Sequence, residues 1–110
     1  MSFLTAAQIA DRLAQQAESV ASYLLPSGKP KSGEWCVGDI GGAAGESLKV
    51  RVTGGKAGVW RDFAAGSGGD LLDLWAQTRG IEMLAAMKEA SDYLGIQPPD
   101  IGLLLQVLQQ

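Results

Sequence analysis

Hydrophobic residues change their spacing twice along the chain. Ile9, Leu13, Val20 and Leu24 fall on one face at helical spacing, with Ala17 small between them, which predicts an amphipathic helix. Its start is marked by Thr5, placed to accept from the Gln8 amide, and by Gln8, placed to reach back to Thr5. Leu4 and Ile9 are spaced for a hydrophobic staple, and Pro26 sets the end. Pro26 to Gly33 is polar and reads as a mobile connector. The period then falls to two. Glu34-Trp-Cys-Val37 is a short strand candidate, followed by a small-residue loop over Asp39 to Glu46. Leu48, Val50 and Val52 alternate with Lys49, Arg51 and Thr53, a half-buried strand with a basic polar face. Gly54-Gly55 signals a hairpin turn, and Val59, Arg61 and Phe63 alternate with Trp60 and Asp62 in the return strand.

After Phe63 a glycine-rich loop, Ala64 to Gly69, leads to Asp70, a plausible helix cap with Asp73 three residues on. Leu71, Leu74 and Trp75 restore the helical period up to Arg79-Gly80. A second helix is predicted from Glu82 to Leu94, stopped by Gly95, with Leu84, Met87, Ala90, Ser91 and Leu94 inward. Pro98-Pro99 breaks the chain, and Ile101 to Leu108 reads as a short apolar tail helix. The expectation is an α+β domain over residues 1–97: a three-stranded antiparallel sheet, an N-terminal helix, and C-terminal helices packed around it. Residues 98–110 form a separate apolar tail.

Charge sharpens this division. The 110 residues carry a net charge of -3. Lys29 to Arg61 holds six bases against three acids, a balance of +3, whereas residues 62–110 stand at -5. A basic sheet region is followed by an acidic helical one, and the former can attract phosphate. Lys49, Arg51 and Arg61 share a sheet face if their strands pair across Gly54-Gly55, with Lys56 at the edge. Such a face is either a solvated surface or a site for single-stranded nucleic acid, bound by charge and stacking. Trp60, on the opposite parity from Arg61, belongs to the core.

Other chemistry is thin. The Gly loop lacks the Gly-Lys-Ser/Thr of a phosphate loop and the dinucleotide spacing, so it reads as a tight strand-to-helix connection. Cys36, Asp39 and Asp62 could in principle approach a metal, but the chain has one Cys and no His, and a structural zinc site wants four such ligands. No zinc or other cofactor is expected. No catalytic constellation is visible, since Cys36 lacks a histidine partner and Asp70 and Asp73 explain themselves as cap residues. A lone cysteine points to a reducing cytoplasm. Neither a signal peptide nor a bilayer-spanning apolar run is read, so no membrane partner is expected.

The central stretch resembles the N-terminal zinc-ribbon domain of bacterial and phage DNA primases and primase-helicases. Cys36-Val-Gly-Asp39 stands where that family has its Cys-x2-His pair. Ser47-Leu-Lys-Val50 matches its middle strand, Trp60 to Leu74 its ribbon turn and helix, and Ala90-Ser-Asp-Tyr-Leu-Gly-Ile96 its end. The resemblance covers about residues 5–96. The family's histidine maps to Asp39 and its later cysteines to Asp62 and Ala65, so it implies a ribbon-like form that has lost its metal, with Trp35, Trp60 and Phe63 as an apolar staple instead. It implies a non-enzymatic accessory domain that recognises single-stranded template DNA through Lys49, Arg51, Lys56 and Arg61. Primase or helicase domains would be its partners. The alternative is a small phage-encoded protein-binding or inhibitory factor. In that reading the tail stripe of Ile101, Leu104, Leu105 and Leu108 either docks on its own core or meets a partner.

Overall fold

A computed structural model describes residues 4–96 of the chain. Helix α1 (Ala6–Ala14) opens with the expected reciprocal cap: Gln8 N–H donates to Thr5 Oγ1 at 3.2 Å, and Thr5 N–H donates to Gln8 Oε1 at 2.8 Å. The single N-terminal helix of the sequence reading is two. A break at Gln15-Gln16 re-aims the chain into α2 (Ala17–Leu24). The reason is packing: α1 lies on the C-terminal helices, while α2 also reaches the sheet. No sequence breaker marks the joint.

The sheet is antiparallel throughout and has five strands in sequential order, not three. They are β1 (Lys29–Lys31), β2 (Glu34–Val37), β3 (Leu48–Arg51), β4 (Trp60–Asp62) and β5 (Ser67–Gly69). The two additional strands are the edges. β1 is Lys-Pro-Lys, polar and proline-bearing, a composition suited to an edge that must resist pairing with another chain. β5 is Ser-Gly-Gly and has no side-chain pattern to read. It pairs because glycine lets it approach: a Cβ on Gly68 would lie 2.7 Å from the Trp60 carbonyl oxygen. The connection from β3 to β4 is also longer than a two-residue turn. It runs over residues 52–59 and is tied by Ala57 N–H to the Gly54 carbonyl and Gly58 N–H to the Arg51 carbonyl.

Helices α3 (Leu71–Arg79) and α4 (Met83–Leu94) follow as expected, ending at Gly80 and Gly95. On α4 the buried positions are Ala86, Ala90 and Ser91; the last two belong to the predicted stripe, whose Leu84, Met87 and Leu94 are half-buried, and Ala86 is the addition. The core joins Ile9, Leu13 and Val20 to Leu48, Val50, Trp60, Leu71 and Trp75 in one cluster. Two tryptophans on the inner sheet face tie it to helix ends. Trp35 Nε1 donates to the Leu25 carbonyl at 2.9 Å, and Trp60 Nε1 to the Asp70 carbonyl at 2.7 Å. Each indole is therefore buried with its one donor satisfied. Phe63 is not part of this staple, because it is 66% exposed. Tyr23, Trp75 and Tyr93 close the gap between α2, α3 and α4 with ring centroids 5.0 to 5.5 Å apart. The boundary at residue 97 and the tail over 98–110 lie outside the described residues.

Candidate nucleic-acid interface

The helices cover one face of the sheet, and strand register decides what the other face carries. Lys49 lies opposite Arg61 on β4 and opposite Cys36 on β2, which in turn faces Lys29 on β1. The next row is Lys31, Glu34 and Arg51. The ladder runs on past β4 at both ends, with Arg51 N–H donating to the Val59 carbonyl and Phe63 N–H to the Ser47 carbonyl. Val59 and Phe63 therefore share the parity of Arg61 and stand on the same outer face.

All the basic residues singled out from sequence meet there. Lys49, Arg51, Lys56 and Arg61 line one shallow concavity of about 140 Å³, together with Val59, Trp60, Phe63 and one acid, Glu34. Lys49 is half-buried, and the other three bases are exposed. Val59 is 49% and Phe63 66% exposed, an aliphatic and an aromatic group set among cations. Ion pairs among the described residues join Lys31 to Glu46, Arg79 to Glu89 and Lys88 to Asp92; none involves Lys49, Arg51, Lys56 or Arg61. Two cations, Lys49 and Arg61, thus face each other across neighbouring strands with no carboxylate between them, an arrangement that costs folding stability.

The metal candidates do not assemble. Cys36 points to the outer face, whereas Asp62 has the inner parity of Trp60 and is 3% exposed. Asp39 Oδ1 accepts from the Gly41 and Ala43 amides at 2.9 and 3.1 Å. Asp62 Oδ1 accepts from those of Ala64 and Ala65 at 3.0 and 3.1 Å. Among the described residues, no three His, Cys, Asp or Glu side chains gather as a metal-ion group would require. Cys36 is a free, buried thiol; burial pushes its pKa up, while the Lys49 ammonium pulls it down.

The Gly loop leads into a helix start that is already capped. Asp73 N–H donates to Asp70 Oδ1 at 2.9 Å, and Asp70 N–H donates to Asp73 Oδ2 at 3.1 Å. A carboxylate occupies the place a phosphate would need, so this helix end offers no anion site.

In comparisons with protein families, with curated proteins and with solved structures, the chain matches none. The site therefore rests on geometry. Three contributors lie outside the set predicted from the sequence. Phe63 was legible as a neighbour of Arg61 on one strand face, two residues along, but it was assigned to the core. Lys29 and Lys31 join the face only because Lys-Pro-Lys pairs as an edge strand, and no periodicity announces that.

Proposed function

We propose that the chain is a non-catalytic module that binds single-stranded DNA on the outer face of its sheet, as the template-recognition domain of a primase would. The observation that carries this is the concavity in which Lys49, Arg51, Lys56 and Arg61 outnumber the one acid, Glu34, around exposed Phe63, with none of the four bases in an ion pair among the described residues. Cations supply the sequence-independent attraction to phosphates, and an aromatic ring supplies a stacking platform that accepts any base. A duplex offers no free base face for the ring, so the combination favours single strands. The acidic helical side, on the far face of the sheet, would orient an approaching polyanion toward the basic one.

The primase resemblance gains support from the two turns where that family holds its metal. Val37, Leu48 and Asp62 lie in one register row, so the turns after β2 and β4 leave the same end of the sheet. Each is held by an aspartate accepting two backbone amides, Asp39 in one and Asp62 in the other. In this reading carboxylate–amide bonds do the local work that a shared metal does in the family.

Anisotropy titration of a labelled oligodeoxynucleotide tests the proposal. About four phosphate contacts on a single strand give a log–log salt slope near -3, so affinity should fall roughly 50-fold between 50 and 200 mM salt. Combined Lys49→Ala and Arg61→Ala substitution should weaken binding strongly in low salt. No binding in low salt, or binding indifferent to that double variant, would sink the reading.

A further inference from the structure

A second cavity lies at the β1 edge of the sheet, lined by the outer-face residues Lys29, Lys31 and Cys36. It has a volume of about 390 Å³, within the span typical of small-ligand sites. Pro30, Val37, Ala43 and Ala44 give it apolar walls, and Cys36 is part of its lining; Lys29 and Lys31 stand at its β1 side, with Glu46 beside Lys31.

We infer that this cavity takes one nucleotide, its base between the apolar walls and its phosphate on Lys29 and Lys31. This deepens the proposed function and rests on it for the identity of the ligand. Three observations carry it. The first is continuity. Lys29, Cys36, Lys49 and Arg61 form one register row, so a strand lying across the sheet from Phe63 reaches the cavity after about 14 Å, three strand spacings.

The second is charge. Lys29 takes part in none of the ion pairs among the described residues. The Lys31–Glu46 pair, at 2.8 Å, is 63% and 54% exposed, and pairs this open are weak enough for Lys31 to exchange its partner for a phosphate. The third is rigidity. The loop that roofs the cavity is pinned by Asp39, by Ser27 Oγ donating to the Gly42 carbonyl at 2.7 Å, and by Gly38 N–H donating to the Ala43 carbonyl at 2.7 Å. It packs so closely that a Cβ on Gly38 would lie 2.5 Å from the Ala44 carbonyl oxygen. A cavity built in advance loses little entropy on filling.

Cys36 is buried, so the reporter is a thiol placed on the exposed wall of the cavity by Ala44→Cys in a Cys36→Ser background. Alkylation of that thiol by iodoacetamide should slow at least threefold with saturating deoxyadenosine monophosphate, and stay unchanged with inorganic phosphate at the same concentration. A saturating deoxyadenosine oligonucleotide should also protect if the strand itself supplies the nucleotide. Protection by the free nucleotide alone assigns the cavity to a soluble ligand. The Lys29→Ala/Lys31→Ala variant, altered only at exposed edge positions, should lose nucleotide protection while Lys49 and Arg61 still hold the oligonucleotide.

If the oligonucleotide binds by anisotropy but neither ligand protects the introduced thiol, the cavity inference fails and the basic face stands. If the mononucleotide protects but no oligonucleotide binds, the basic face fails and the cavity stands. Equal protection by phosphate alone, or protection that survives the double variant, overturns the cavity inference.

Discussion

The two faces of the central hairpin differ in a way that separates folding from function. On the inner face Leu48, Val50 and Trp60 are between 0 and 1% exposed and belong to one continuous core. On the outer face the alternate residues of the same strands are Lys49, Arg51, Arg61 and, just beyond, Phe63. Every inner residue is explained by burial. The outer ones are not explained by stability at all. Opposed cations repel, and an exposed phenyl ring gains nothing from the fold. A surface that costs stability at several adjacent positions is where a ligand should be sought.

The sharpest way to break this comparison is to truncate one residue of each face. Trp60→Ala removes a fully buried indole and its hydrogen bond to the Asp70 carbonyl. It should cost about 3–5 kcal/mol of folding free energy, enough to unfold a domain of ordinary stability. Urea denaturation followed by circular dichroism reads this. Phe63→Ala, three residues on, should change stability by less than about 0.5 kcal/mol. It should instead weaken single-stranded DNA binding by about 1–3 kcal/mol, the worth of one stacked base. If Phe63→Ala proves as destabilising as Trp60→Ala, the outer face is structural and the comparison collapses.

Arg61→Glu sharpens the contrast by giving opposite signs to the two readouts. It puts a carboxylate directly across from Lys49, replacing repulsion with attraction, so stability should rise by about 0.2–1 kcal/mol. Affinity for the oligonucleotide should fall at least tenfold, because one phosphate contact is lost and a repulsive charge is added. A variant that is both more stable and less able to bind would show that the opposed cations are held for a ligand.

The inner face was far more legible in the sequence than the outer one. Helix starts at Thr5 and Asp70 and helix ends at Gly80 and Gly95 follow from local chemistry. The alternation of Leu48 to Arg51 fixed which residues enter the core, because a period of two leaves one choice of face. The edges were not legible. Lys-Pro-Lys and Ser-Gly-Gly have no propensity to be strands, and they become strands only because a neighbouring edge is waiting. That limitation hid Lys29 and Lys31 from the candidate site, and with them the cavity at the β1 edge. Phe63 was misassigned because aromatic residues are usually core, although its parity with Arg61 already placed it outside.

The smallest effect tests where the sheet meets the helices. At the N-cap of α3, burial raises the Asp70 carboxyl pKa above its ordinary value; the backbone bond from Asp73 works against that shift, and the Asp73 charge adds to it. A carboxyl that is harder to ionise when folded binds its proton more tightly in the native state. Its contribution to stability is therefore present in acid and is lost as pH rises through the carboxylate range. Asp70→Asn keeps a side-chain oxygen able to cap the helix but removes the titration. Its stability relative to the parent protein should improve by less than about 1 kcal/mol on going from pH 3 to pH 7, read from paired urea midpoints. Asp70→Ala, which loses the cap itself, should instead cost about 1 kcal/mol at neutral pH. If Asp70→Asn falls behind the parent as pH rises, attraction between the ionised carboxylate and the helix N-terminus outweighs burial, and the cap belongs to the charged surface rather than to the core.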